Sequence, residues 1–180
     1  MTKRFPKYFL PLIATLLVES SAWAQEINTE YNRFEDKTKV KADFPGRRLD
    51  SLYIDYLRGL LICVYDGKPS QGDHPISLLL GLSSTMGRFL VDDNPRLIVI
   101  VDEERLVLQT FRLVPDTRGE LREERIEVPL SSETMAKLLK GKSVEFYLVS
   151  APGAPPITFR LTDADQKLLA AFNAAVRAGK

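Results

Sequence analysis

The chain has 180 residues, 44% of them hydrophobic and 27% charged, with 25 Lys and Arg against 24 Asp and Glu. That balance argues against the general electrostatic attraction to nucleic acid or anionic membrane that a strongly basic protein shows. The lone cysteine, Cys63, precludes an intrachain disulfide, and its place inside the apolar run LLICVY reads as a small buried hydrophobe.

Residues 1–24 read as a signal peptide. Lys3, Arg4 and Lys7 make a basic start, and the apolar stretch from Tyr8 to Val18 is shorter than the ~20 residues a membrane-spanning helix needs. Ala22 and Ala24 then put small side chains where a signal peptidase reads, so cleavage after Ala24 is expected, leaving Gln25 first. No cysteine near that point offers lipid attachment, and no later apolar run approaches spanning length. A mature chain in a periplasm or outside the cell is the expectation, with no integral membrane segment after cleavage and no nucleic-acid partner. It is long enough for one domain with its own core.

Residues 25–37 are polar, lack clean periodicity and read as a mobile N-terminal arm, leading into a single globular β-rich domain over 38–180. Within the arm, Phe34 is expected to pin the chain against a sheet edge, with Glu35, Asp36 and Lys37 as its solvated side. From Lys39 the pattern alternates, Val40, Ala42 and Phe44 against Lys39, Lys41 and Asp43, which predicts a half-buried strand broken at FPGRR. LDSLYIDYLRGLLICVYDG predicts one strand bent near Gly59, or two. DGKPSQGDHP is a loop and ISLLLGLSS a strand, while RLIVIVDEERLVLQTFRL predicts a hairpin and ELREERIEVPL a strand ending at Pro129. LREER suits a wet strand face.

Three of these runs are apolar on consecutive residues, which predicts cover on both faces and hence two layers. Few helical segments separate the strands, so a parallel α/β fold is disfavoured. Helices are expected in PLSSETMAKLLKG, with Ser131 as N-cap, Leu130 placed to touch Met135 and Gly141 as terminator, and in LTDADQKLLAAFNAAVRAGK. In the second, Thr162 is the N-cap, Asp163 and Asp165 suit the positive end of the helix dipole, and Leu168, Leu169, Phe172, Ala175 and Val176 form an apolar stripe. KSVEFYLVS and ITFRL predict a hairpin with APGAPP at its tip. The expected fold is α+β and mainly β: a two-layer antiparallel sandwich or curled sheet, with a short helix and a C-terminal helix packed on it.

Chemistry is sparse. His74 is the single histidine, which leaves a transition-metal site without partners. The groups Asp92, Asp93 and Asp102, Glu103, Glu104 sit where strands turn, which alone accounts for them, and neither has the oxygen spacing of a calcium loop. Thr134 and Lys137 have nucleophile–lysine spacing, but the companion motifs are absent, as are the nucleophile elbow, the phosphate loop and the dinucleotide glycine pattern. No catalytic, cofactor-binding or metal-binding residue is nominated.

The segment Y-x-x-F-E-D-K-T-x-V after the signal, and the order MAKLLKGKSVEFYL … ITFRLTDADQKLLAAFNAAV at the other end, resemble an uncharacterised family of short secreted bacterial proteins, a domain of unknown function. The resemblance implies an export-dependent α+β domain and transfers no catalytic residue.

The leading expectation is a non-catalytic periplasmic or extracellular module binding a protein or cell-envelope component, with Tyr31, Phe34, His74, Pro152, Pro155 and Pro156 as contact residues. The arm is pictured as adding to a sheet edge. The alternative is a carrier of a small apolar ligand inside a curled sheet. A hydrolase using a pair among Asp92, Asp93, Asp102, Glu103 and Glu104 stands behind both.

Overall fold

The computed structural model describes residues 27–49, 56–84, 95–118, 121–149 and 156–179, and for 114–118, 121 and 122 the backbone alone. The elements in chain order are β1 (Ile27–Asn32), β2 (Lys37–Arg48), β3 (Tyr56–Asp66), β4 (Ile76–Ser84), β5 (Arg96–Val101), β6 (Glu104–Leu108), β7 (Phe111–Arg118), β8 (Leu121–Leu130), α1 (Ser132–Lys140), β9 (Val144–Val149), β10 (Ile157–Arg160) and α2 (Asp163–Ala178). They build a six-stranded sheet ordered β1-β2-β3-β4-β8-β7 and a four-stranded sheet ordered β10-β9-β5-β6. Every pairing is antiparallel and neither sheet closes. Strands β1 to β4 form a meander, β5 and β6 leave it for the smaller sheet, and Gln109 and Thr110 carry the chain back to β7.

Period-two patterning sets the core. Leu78, Leu80 and Leu82 of β4, Leu97, Val99 and Val101 of β5, and Ile126, Val128 and Leu130 of β8 are all buried, while the residues between them are half-buried or exposed. The smaller sheet and the helices close the inner face of the larger sheet. α2 lies against β1, β2 and β3, and α1 against β8 and α2. The α2 stripe is as expected: Leu168, Leu169, Phe172 and Val176 are buried, each contributing about 2 kcal/mol by removal from water. Both helix starts are capped as read, by the Ser131 side chain on the Thr134 N–H and the Thr162 side chain on the Asp165 N–H.

Six expectations need correction, four of them local. Residues 27–32 are not a free arm: they are β1, paired with β2 from Ile27 opposite Ala42 to Asn32 opposite Lys37. The signal was there, in Ile27, Thr29 and Tyr31 on one face, β-branched and aromatic at period two. Phe34 does not pin anything; it projects from the turn beyond the last ladder pair and is 93% exposed. FPGRR does not end β2, because the strand absorbs Pro45 and Gly46 in a bulge between Phe44 and Arg47, the place where a sheet tolerates proline. LREER is not wholly wet either: Glu124 faces inward and is buried, with Arg112 of β7 at 4.0 Å.

The continuous apolar runs have a different cause from the one expected. One face of each run is core, and the other holds half-buried residues on the outward faces of the two sheets: Leu60, Ile62 and Leu79 on the larger, Ile98 and Ile100 on the smaller. FRLVPDTR, read in part as the end of the preceding hairpin, is the separate strand β7 on the other sheet.

Candidate functional site

The turn between β1 and β2, Arg33 to Asp36, is held from both sides. Asn32 Oδ1 accepts from the Phe34 N–H at 3.0 Å, and the Tyr31 hydroxyl donates to Asp36 Oδ1 at 2.6 Å. That bond, with the carboxylate's charge beside it, pushes the Tyr31 phenol above its ordinary range. Asp36 takes a left-handed conformation, φ 49°, which Asp tolerates better than most residues. Its carbonyl accepts from the Gly67 N–H at 2.6 Å, and the Gly67 carbonyl accepts from the buried Thr38 hydroxyl at 2.7 Å. The tip is thus tied to the loop after β3, and Phe34 stands out from a fixed base.

His74 lies in that same loop, which spans residues 67–75, and is half-buried. Its ring stacks on Tyr65, centroids 3.6 Å apart and planes 5° from parallel. Nε2 is 3.1 Å from the Ser70 carbonyl, so it carries the proton in that bond. The Ser70 N–H reaches the Tyr65 hydroxyl at 3.4 Å, and Asp73 pairs with Arg177 of α2 at 3.6 Å. His74 therefore holds the loop to the sheet. Tyr31, Phe34 and His74 come together at one end of the larger sheet. Pro156 is exposed ahead of β10, in the other sheet, while Pro152 and Pro155 lie outside the described residues.

Two of the carboxylates read at strand ends, Asp102 and Glu104, have structural partners, while Glu103 is exposed in the turn between them. Asp102 Oδ1 accepts from the Lys142 and Ser143 N–H groups at 2.9 and 3.0 Å, and Glu104 pairs with Lys137 at 2.7 Å. Lys137 also meets Glu133 at 3.1 Å, and these bonds raise its pKa. Asp92 and Asp93 lie outside the described residues. Among the described residues no group of three His, Cys, Asp or Glu side chains could hold a metal ion. Cys63 is fully buried, and desolvation pushes its thiol up to about 11.

Two features escaped the pattern. Asp165, fully buried at the start of α2, receives the Thr162 N–H and hydroxyl at 2.6 and 2.7 Å and an ion pair from Arg47 in the β2 bulge. The T-x-x-D spacing was legible as a capping box, but its arginine was not. On the outward face of the smaller sheet, Glu145 receives Arg160 and the Tyr147 hydroxyl, which hold its carboxyl below the ordinary range.

Between the layers lies a cavity of about 30 Å³, bordered by Phe44, Leu61, Leu80, Leu138 and Phe146, room for roughly one water. A depression of about 300 Å³ opens on the outer face of the larger sheet over Leu60, Leu79 and Gly81, with Arg125 and Glu123 paired at its rim. Comparison with protein-family models, with curated proteins and with solved structures finds no match to this chain. What the site can do follows from its own geometry.

Proposed function

We propose that this chain is an exported, non-catalytic module that binds a protein or cell-envelope component through the β1–β2 tip, with Phe34 as the anchoring side chain. One observation carries the reading: a phenylalanine 93% exposed on a turn that four hydrogen bonds hold in place. An apolar ring left in water at a rigid position gains most when a partner pocket takes it, and rigidity lowers the ordering cost of doing so. Export rests on the pattern of residues 1–24, and the mature chain then begins at Gln25. Among the described residues no helix is long and apolar enough to cross a membrane. The interior cavity, about 30 Å³, favours contact at the surface over enclosure of a ligand, which takes roughly 300 Å³ or more.

The test is photo-crosslinking in the native host, with a benzophenone amino acid at position 34 and, as a control, at the exposed Ala164 of α2, which belongs to neither sheet. A discrete adduct at position 34 alone, carried by a chain whose mass begins at Gln25, is the expected result. Equal adducts at both positions, or none, reject the tip as the contact. A chain retaining residues 1–24 rejects export by cleavage.

A further inference from the structure

We propose that the edge strand β6, with the outward face of the smaller sheet beside it, accepts an extended acidic segment of a protein partner as an added strand. In the order β10-β9-β5-β6, β6 lies at the edge, and among the described residues no strand pairs with its far side. An antiparallel ladder turns the N–H and C=O of alternate residues away from the paired neighbour, so β6 presents backbone donors and acceptors to solvent.

Protein edges are ordinarily blunted by lysine, proline, bulges or polar outward residues. β7 has such a bulge, with a register shift between Leu113 and Asp116 and Pro115 within it. β1 sets Asn28 and Glu30 outward, and β10 follows directly on Pro156. β6, Glu-Arg-Leu-Val-Leu, pairs with β5 without a break from Leu108 opposite Leu97 to Glu104 opposite Val101. It contains neither proline nor lysine, and its Val107 is 63% exposed.

Register then defines the chemistry of the face. Val107, Ile98 and Tyr147 form one outward row, and Arg105, Ile100 and Glu145 the next, with Arg160 beyond Glu145; Arg96 lies on the other side, opposite Val149. The outward positions hold three arginines and one glutamate, and that glutamate is already held by Arg160 and Tyr147. The face is apolar along its centre and positive at its sides. An incoming strand would set an acidic side chain beside Arg105 and an apolar one beside Val107, and in its alternate positions cover the half-buried Leu106 and Leu108. This surface lies on the smaller sheet, away from the Phe34 tip, and the inference does not rest on that tip.

The probe is a synthetic peptide with carboxyfluorescein on its N-terminus, carboxyfluorescein-Ser-Leu-Glu-Val-Val-Leu-Ser-amide, and its twin with Lys in place of Glu. Each is titrated by anisotropy with the mature full-length chain, with vesicles of phosphatidylserine and phosphatidylcholine as a separate arm. The expected result is saturable binding of the Glu peptide, with the Lys twin weaker by roughly tenfold or more, since like charges opposed across an interface cost well over a kcal/mol. Arg105→Glu should reverse that preference and Val107→Asp should abolish binding, both with an unchanged circular dichroism spectrum. Phe34→Ala should leave the binding as it was, so failure of this surface and failure of the tip are told apart. No binding, equal affinity for the two peptides, indifference to Arg105→Glu, or association with the vesicles alone would overturn the proposal.

Discussion

A carboxylate with no exposed surface survives only with partners that replace water. Asp165 has them at Oδ2, in Thr162 and in Arg47, so its removal leaves the half-buried Arg47 guanidinium with the Arg160 carbonyl alone and undoes a helix cap as well. Asp165→Ala should cost about 3 kcal/mol in urea unfolding, against about 1 kcal/mol for Thr162→Ala; equal losses would show that the cap alone matters. Cys63 gives the pH-dependent case. Its thiol ionises near 11 in the fold against an ordinary 9.0, so the folded state favours the protonated form. The contribution is complete below the ordinary value and lost as pH rises toward 11. Native chain should resist a thiol reagent at pH of about 8 and react fully in urea, and Cys63→Ala should flatten the alkaline fall in stability. Rapid modification of the native thiol would contradict this. The burial of Cys63 was legible from its apolar neighbours. The Arg47–Asp165 pair was not, because its members meet only when α2 docks across β2.

At the scale of elements, the end of α2 and the loop over residues 67–75 behave as one piece. Gly179 closes the helix at φ 66°, and a Cβ there would stand 2.6 Å from the Ser70 carbonyl carbon. Strain and clash act together, so Gly179→Ala should destabilise by about 1–2 kcal/mol and speed amide hydrogen exchange at Ser70 and His74. A loss confined to the last turn of α2, with the loop still protected, would separate the two. Gly59 of β3 shows the opposite use of a missing side chain. Phe44 lies opposite it across the ladder, and a Cβ would approach the ring to 3.0 Å, so glycine makes room for an aromatic at the bulge. Caps, the α2 stripe and most strands could be read from period and turn chemistry. Strand β7 could not, because nothing local marks a change of sheet across Gln109 and Thr110.

At the scale of the whole molecule, the described residues form two open antiparallel sheets and two helices whose side chains pack between the layers. A cavity of about 30 Å³ has no space for an acyl chain, so native protein should show no saturable uptake of a fluorescent fatty acid; stoichiometric uptake without loss of tertiary structure would move the reading to a carrier. Apolar surface left over lies outside, on the two sheet faces and at Phe34. That distribution suits a module whose contacts are made at its surface.

Local chemistry was enough to determine the class of the fold. Alternation at period two, the Ser131 and Thr162 caps, the apolar stripe of α2 and a single buried thiol each depend on a few neighbouring residues, and each could be read from the chain. Which strands neighbour one another, that β1 completes the sheet as its edge, that Glu124 and Asp165 turn inward, and that Phe34 turns outward were decided by tertiary structure. Those outcomes depend on contacts between segments far apart in the chain, where packing and the pairing of buried charge outweigh any local preference.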